Sequence, residues 1–126
     1  MRGDDARRFS DLIGLEVTDV KAGYSRGTLD VTDRLTNPNG ILHGAAAYAM
    51  TDSGMAIALQ PELAAEERCA TIESKISYFE PVSSGTLTCE SNLLRRGRTV
   101  AFLESDVRQE GTTVARATGS FSIYTP

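Results

Sequence analysis

The stretch Gly44–Leu59, GAAAYAMTDSGMAIAL, constrains the fold more than any other part of the chain. Its sixteen residues are too many for an ordinary strand, and its six alanines favour a helix. Pro61 lies just past its end. Ahead of it, Asn37-Pro38-Asn39-Gly40 marks a loop, because Pro cannot donate to a ladder and Asn and Gly tolerate left-handed backbone. Apart from Tyr48, the only polar side chains in the stretch are Thr51, Asp52 and Ser53, so the helix is expected to be buried on most sides.

Strands supply the cover. Residues 69–79, 86–94, 99–109 and 113–124 are rich in Thr, Val, Ile, Phe and Tyr, and turn formers occupy 80–85, 95–98 and 109–112. This reads as four consecutive hairpin-linked strands of an antiparallel sheet. Before the loop, a short helix is expected over 5–13. A hairpin follows it, with Leu15, Val17 and Leu29, Val31 alternating on either side of the turn-like segment 22–27. A helix without a polar face must lie against that sheet. The expected fold class is therefore α+β, a curved antiparallel sheet wrapped around one long central helix.

At 126 residues, 40% hydrophobic and 24% charged, the sequence suits one domain spanning 1–126. No run approaches the ~20 apolar residues of a membrane span, and Met1–Arg8 leads into no apolar export segment, so a cytoplasmic protein without a membrane partner is expected. Cys69 and Cys89 read as buried thiols of a reducing compartment. With a single histidine and no CxxC pair, no metal site is expected. Acids outnumber bases 17 to 13, a formal charge of −4 that does not attract nucleic acid. Eleven arginines stand against only Lys21 and Lys75, a bias that supplies fork-shaped donors suited to phosphates.

Asp52 is the only acid within the apolar helix, and its neighbours at three and four residues are Tyr48, Ala49, Met55 and Ala56. Two readings stand side by side. Either desolvation raises its pKa and it serves catalysis, or it faces solvent at a gap in the sheet or meets a backbone group. His43, just before the helix, suits a capping or packing role. Gly44 is a plain helix entry, or else a place where free N–H groups and the helix dipole receive a developing oxyanion. Eight residues separate Gly44 from Asp52, ~12 Å along a helix axis. For both to act on one carbonyl they must come from different subunits, as a two-fold dimer with antiparallel helices would supply.

Residues 37–44, NPNGILHG, with Asp52 beyond them and then 71–81, TIESKISYFEP, resemble the hotdog-fold acyl-CoA thioesterases, especially their phenylacetate-pathway (PaaI-like) branch. The resemblance spans nearly the whole chain and rests on an N-x-x-G-x-x-H-G motif with an acid eight residues past its last glycine. It implies a hotdog fold that hydrolyses acyl-CoA thioesters of aromatic or medium-length acids. No cofactor is implied, since coenzyme A is part of the substrate, and the expected assembly is a dimer or, beyond it, a homotetramer. In that family's terms the Gly44 N–H polarises the thioester carbonyl, and Asp52 of the opposing subunit is the nucleophile or the general base. Asn37 holds water or the thioester, and His43 orders the loop at the helix entrance. Thr71 falls where some relatives place a hydroxyl beside the catalytic water, on a strand that also carries Ser74 and Ser77. Arg95, Arg96 and Arg98 crowd one turn where they could meet coenzyme A phosphates. Ala45 departs from the pattern, since many relatives have a second glycine there. Two other readings are a hotdog dehydratase or hydratase, whose His and acid order matches less well, and a non-catalytic acyl-CoA-binding module.

Overall fold

A computed structural model describes residues 8–126, so residues 5–7 of the expected N-terminal helix lie outside the described residues. The rest of that helix is α1, Phe9–Ile13, which Gly14 ends in the left-handed conformation at φ 82°. There follow β1 (Glu16–Lys21), β2 (Tyr24–Asp30), α2 (Gly44–Leu59), β3 (Arg68–Tyr78), β4 (Thr86–Arg96), β5 (Val100–Gln109) and β6 (Thr112–Tyr124). The strands form one antiparallel sheet of six in the order β1-β2-β4-β5-β6-β3. Among the described residues no helix is long and apolar enough to cross a membrane.

α2 touches every strand of the sheet. Six strands about 4.8 Å apart span ~24 Å, twice the ~10–12 Å diameter of a helix, so the sheet must curl to reach it. Met55 and Leu59 pack against Leu103, Ala117 and Phe121, and Met50 against Leu87, Cys89 and Val107. Each large side chain buried there contributes roughly 1.5–3 kcal/mol.

Four expectations are corrected. The first hairpin turns on Ala22 and Gly23 alone, with Gly23 at φ 72°, and Tyr24–Gly27 already belongs to β2. Segment 80–85 is no hairpin. β3 pairs with β6 at one edge of the sheet, whereas β4 lies between β2 and β5, so the segment crosses from edge to interior. Pro81 and Gly85 mark a chain break but say nothing of where the next strand goes. Cys89 is buried, but Cys69 only half so.

The helix, finally, is covered on one side only among the described residues. Ala46, Ala47, Met50, Thr51, Met55, Ala58 and Leu59 face the sheet, while Ala45 and Tyr48 are exposed and Ala49, Asp52 and Ala56 half-exposed. A single sheet curls far enough to enclose one side of a helix, and no other element of the described chain lies over the opposite side.

Buried hydroxyls fix how deep α2 sits. Ser25 Oγ donates to the Gly54 carbonyl at 2.7 Å, Ser91 and Ser105 share a hydrogen bond of 2.6 Å, and Ser105 Oγ donates to the Thr51 carbonyl at 3.4 Å. A Cβ on Gly54 would sit 2.5 Å from Ser91 Oγ but 3.6 Å from Ser91 Cβ. Gly54→Ala is therefore expected to cost about 1–3 kcal/mol by overpacking, despite alanine's better helix propensity. Adding Ser91→Ala should recover most of that loss. Urea denaturation of the two variants checks it, and a double variant no more stable than Gly54→Ala would show the clash is not the cause.

Candidate active site

The loop before α2 is held by its own residues. Asn37 Oδ1 accepts from the N–H groups of Asn39 (2.9 Å) and Ile41 (3.2 Å), and the Asn37 backbone pairs with Ile41 and Gly40. The side-chain oxygen of Asn37 thus serves the loop itself. His43 is the N-cap of α2, its Nδ1 accepting from the Ala45 N–H at 2.9 Å, while its own N–H donates to the Leu35 carbonyl at 2.8 Å. The His43 carbonyl takes the Ala46 N–H at 2.9 Å. With these donors engaged, the Gly44 N–H meets no acceptor among the described residues. A free donor at the positive end of a sixteen-residue helix is suited to an anion or a polarised carbonyl.

Tyr78, which sequence reasoning did not single out, stands over that glycine. Its hydroxyl donates to the Gly44 carbonyl at 2.8 Å, and a Cβ on Gly44 would meet its Cζ and Oη at 3.0 Å. Glycine at this position makes room for an aromatic ring as well as for any ligand. Partial burial, followed by Tyr48 nearby, raises the pKa of the Tyr78 phenol, so it remains a donor at neutral pH. No local pattern could have shown this, because the two residues are joined across 34 positions of chain.

Two turns along α2, on its uncovered side, Asp52 Oδ1 accepts from Thr71 Oγ1 at 2.7 Å. The carboxylate is half-exposed and meets a side-chain hydroxyl rather than a backbone group. A bulge in β3 makes the contact. Register shifts between Thr71 and Glu73, leaving Ile72 extra and exposed, so that Thr71 opposite Phe121 and Ser74 opposite Gly119 both face α2. In a regular strand, residues three apart would face opposite sides. Ser74 Oγ is buried there with no partner among the described residues. Cys69 lies near the same acid, and burial first, then the Asp52 charge, raises its thiol pKa. Ala45, Tyr48, Ala49, Asp52 and Thr71 line an open depression.

The arginines are elsewhere. Arg96 binds Glu67 at 2.5 Å and the carbonyls of Glu62, Gly97 and Arg98, so its guanidinium is engaged in holding the β4–β5 turn to the end of α2. Arg95 and Arg98 are exposed. That turn stands beside the C-terminal end of the helix, ~24 Å from Gly44 at 1.5 Å per residue. Within one chain, then, Asp52 and Thr71 are brought together, as are His43, Gly44 and Tyr78, but the two groups remain ~12 Å apart along α2. Among the described residues no three His, Cys, Asp or Glu side chains cluster as metal ligands.

The profile of the thioesterase superfamily matches residues 39–116, from the loop before α2 into β6. A Saccharolobus solfataricus protein named as an esterase is 29% identical over 124 residues, 97% of this chain and 85% of its own length. The 1,4-dihydroxy-2-naphthoyl-CoA hydrolase of Listeria monocytogenes is 21% identical over 81% of this chain and 83% of its own. The solved structure of a phenylacetic acid degradation-related protein from Ralstonia eutropha is similar with a TM-score of 0.84 at 27% identity, covering 96% of each chain. With one helix wrapped by a six-stranded antiparallel sheet and the superfamily profile matched over most of its length, the chain belongs to the thioesterase superfamily and is a thioester hydrolase of the hotdog fold.

Proposed function

We propose that the enzyme hydrolyses acyl-CoA thioesters of aromatic or medium-length acids to the free acid and coenzyme A, at sites shared across a two-fold dimer. The observation that carries the reading is the pairing, on one helix, of an unpaired Gly44 N–H with a half-exposed Asp52 two turns away. The uncovered side of α2 supports the dimer: Ala45, Ala49 and Ala56 are small enough for a second helix to approach closely. Beside them β3 is a sheet edge of eleven residues whose outer side has no partner strand among the described residues. On the outer sheet face Leu94 and Phe102 are 57% and 46% exposed, which supports a further pairing of dimers into a tetramer.

In such a dimer the thioester oxygen lies at Gly44 N–H of one protomer, and Asp52 of the other faces the carbonyl carbon. Asp52 either takes a proton from the attacking water or attacks the carbon itself to give an anhydride that water then opens. In both routes the C–S bond breaks and the thiolate leaves as coenzyme A. One donor at a helix end contributes roughly 3–4 kcal/mol to such a transition state, and general-base assistance 10²–10⁴-fold. Thr71 holds one oxygen of Asp52 and leaves the other free to act. No metal or bound cofactor enters this scheme. The free thiols of Cys69 and Cys89 suit a reducing compartment, consistent with a cytoplasmic site of action.

A panel of acyl-CoAs, including phenylacetyl, benzoyl and straight chains, assayed by thiol release, is the test. Turnover of at least one is expected from a species that sediments as a dimer or larger. Binding without thiol release would leave the enzyme class intact but remove coenzyme A thioesters from its substrates, and an active monomer would remove the shared site.

A further inference from the structure

A cavity of about 340 Å³ opens beside Gly44 and runs beneath the crossing segment after β3. Its depth is formed by Ala47, Val82, Leu87, Val114 and Ala115, all buried and all apolar. Two backbone carbonyls of its deep wall are already engaged. The Val82 carbonyl accepts from the Leu42 N–H at 2.7 Å, and the Val114 carbonyl accepts from the N–H groups of Phe79 and Glu80 at 2.8 and 3.3 Å. Leu87 and Ala115 sit in strand ladders, and the Tyr78 hydroxyl, at the mouth rather than in the depth, gives its hydrogen to the Gly44 carbonyl. Glu80, the one charged lining residue, is exposed.

From this chemistry, and resting on the thioester reading above, we infer that the cavity receives the acyl group and selects unsubstituted aryl or alkyl acids over hydroxylated or carboxylated ones. Gly44 fixes the reacting carbonyl at the cavity's opening, so whatever extends from that carbonyl carbon has this space beside it. A cavity of this size falls at the small end of ligand pockets, ~300–1,000 Å³, and accommodates a single ring or a medium chain. A hydroxyl carried to its depth would leave water for a wall of apolar side chains, where the Val82 and Val114 carbonyls already accept hydrogen bonds. A carboxylate would lose its hydration and also meet Glu80 at the rim. Apolar pockets reject an added hydroxyl by about 10- to 100-fold, and a charge is rejected more strongly.

The test compares kcat/KM for phenylacetyl-CoA with 4-hydroxyphenylacetyl-CoA, and for hexanoyl-CoA with 3-hydroxyhexanoyl-CoA and succinyl-CoA. The plain acyl group of each set is expected to win by roughly tenfold or more, with succinyl-CoA the poorest. Val114→Thr, which swaps a methyl of the wall for a hydroxyl of nearly equal size, should narrow the hydroxyl discrimination several-fold. Equal kcat/KM across the wild-type panel would overturn the cavity assignment while leaving thioester hydrolysis standing. Absence of turnover on every member would overturn the thioester reading and this inference with it. Because the wild-type ratios decide the matter, the assignment is tested even if the Val114 variant folds poorly.

Discussion

Asp52→Asn is expected to lower kcat for acyl-CoA hydrolysis by about 10²- to 10⁴-fold, with KM within a few-fold of wild type. An amide can neither take the proton of an attacking water nor attack a thioester as a carboxylate does. It can still accept the Thr71 hydroxyl through its own carbonyl oxygen, so the 2.7 Å contact and the fold are retained. A thermal midpoint close to wild type, measured alongside the kinetics, separates loss of chemistry from loss of structure. Undiminished turnover would remove Asp52 from the mechanism.

The second large effect belongs to a backbone atom. Proline is favoured at the first position of a helix and lacks an N–H, and the extended conformation of His43, φ −63° and ψ 132°, is one that a residue before proline adopts readily. Gly44→Pro thus deletes the donor at a site whose backbone tolerates the change. Gly44→Ala keeps the donor but brings the same Cβ to 3.0 Å from Tyr78, so it is the proper reference. The proline variant should fall about 10²- to 10³-fold below the alanine variant in kcat. Equal rates in the two would mean that the N–H does not meet the reacting oxygen. Mixing Gly44→Pro with Asp52→Asn copies should restore about a quarter of wild-type activity, since random dimers place one intact pair in half of the assemblies.

What the sequence disclosed depended on the range of the signal. α2 was legible to its ends because Asn37–Gly40 and Pro61 bracket it and its alanines fill it. β4, β5 and β6 were legible because their connections are true hairpins, and turn chemistry is local. Strand order was not. Pro81 and Gly85 break the chain in the same way whether the next strand lies alongside or across the sheet, and the pairing of Thr71 with Phe121 is made fifty residues away. The site divided in the same manner. Gly44 and Asp52 stood out by type and spacing, and His43 by its place at a helix start. Thr71 meets Asp52 only because a bulge at Ile72 turns it inward, Tyr78 reaches Gly44 only through the fold, and Arg96 is captured by Glu67 from a loop 29 residues earlier. The uncovered side of α2 is informative in another way: an apolar helix that the described residues leave half open suits the dimer proposed above.

The position of β3 also dictates a history. β4, β5 and β6 can zip together through hairpins as they emerge, since each contacts the strand next to it in the chain. β3 must wait. Its partners run from Tyr78 with Ala115 to Arg68 with Tyr124, separations of 37 to 56 residues that have to be closed before a single bond of that ladder forms. The strand that carries Thr71 to Asp52 and Tyr78 to Gly44 is laid down only when β6 exists to receive it. The sheet is in this sense built from its middle outward: β2 too must wait, since its ladder with β4 closes separations of 56 to 68 residues, and both flanks are added to a meander that can stand earlier.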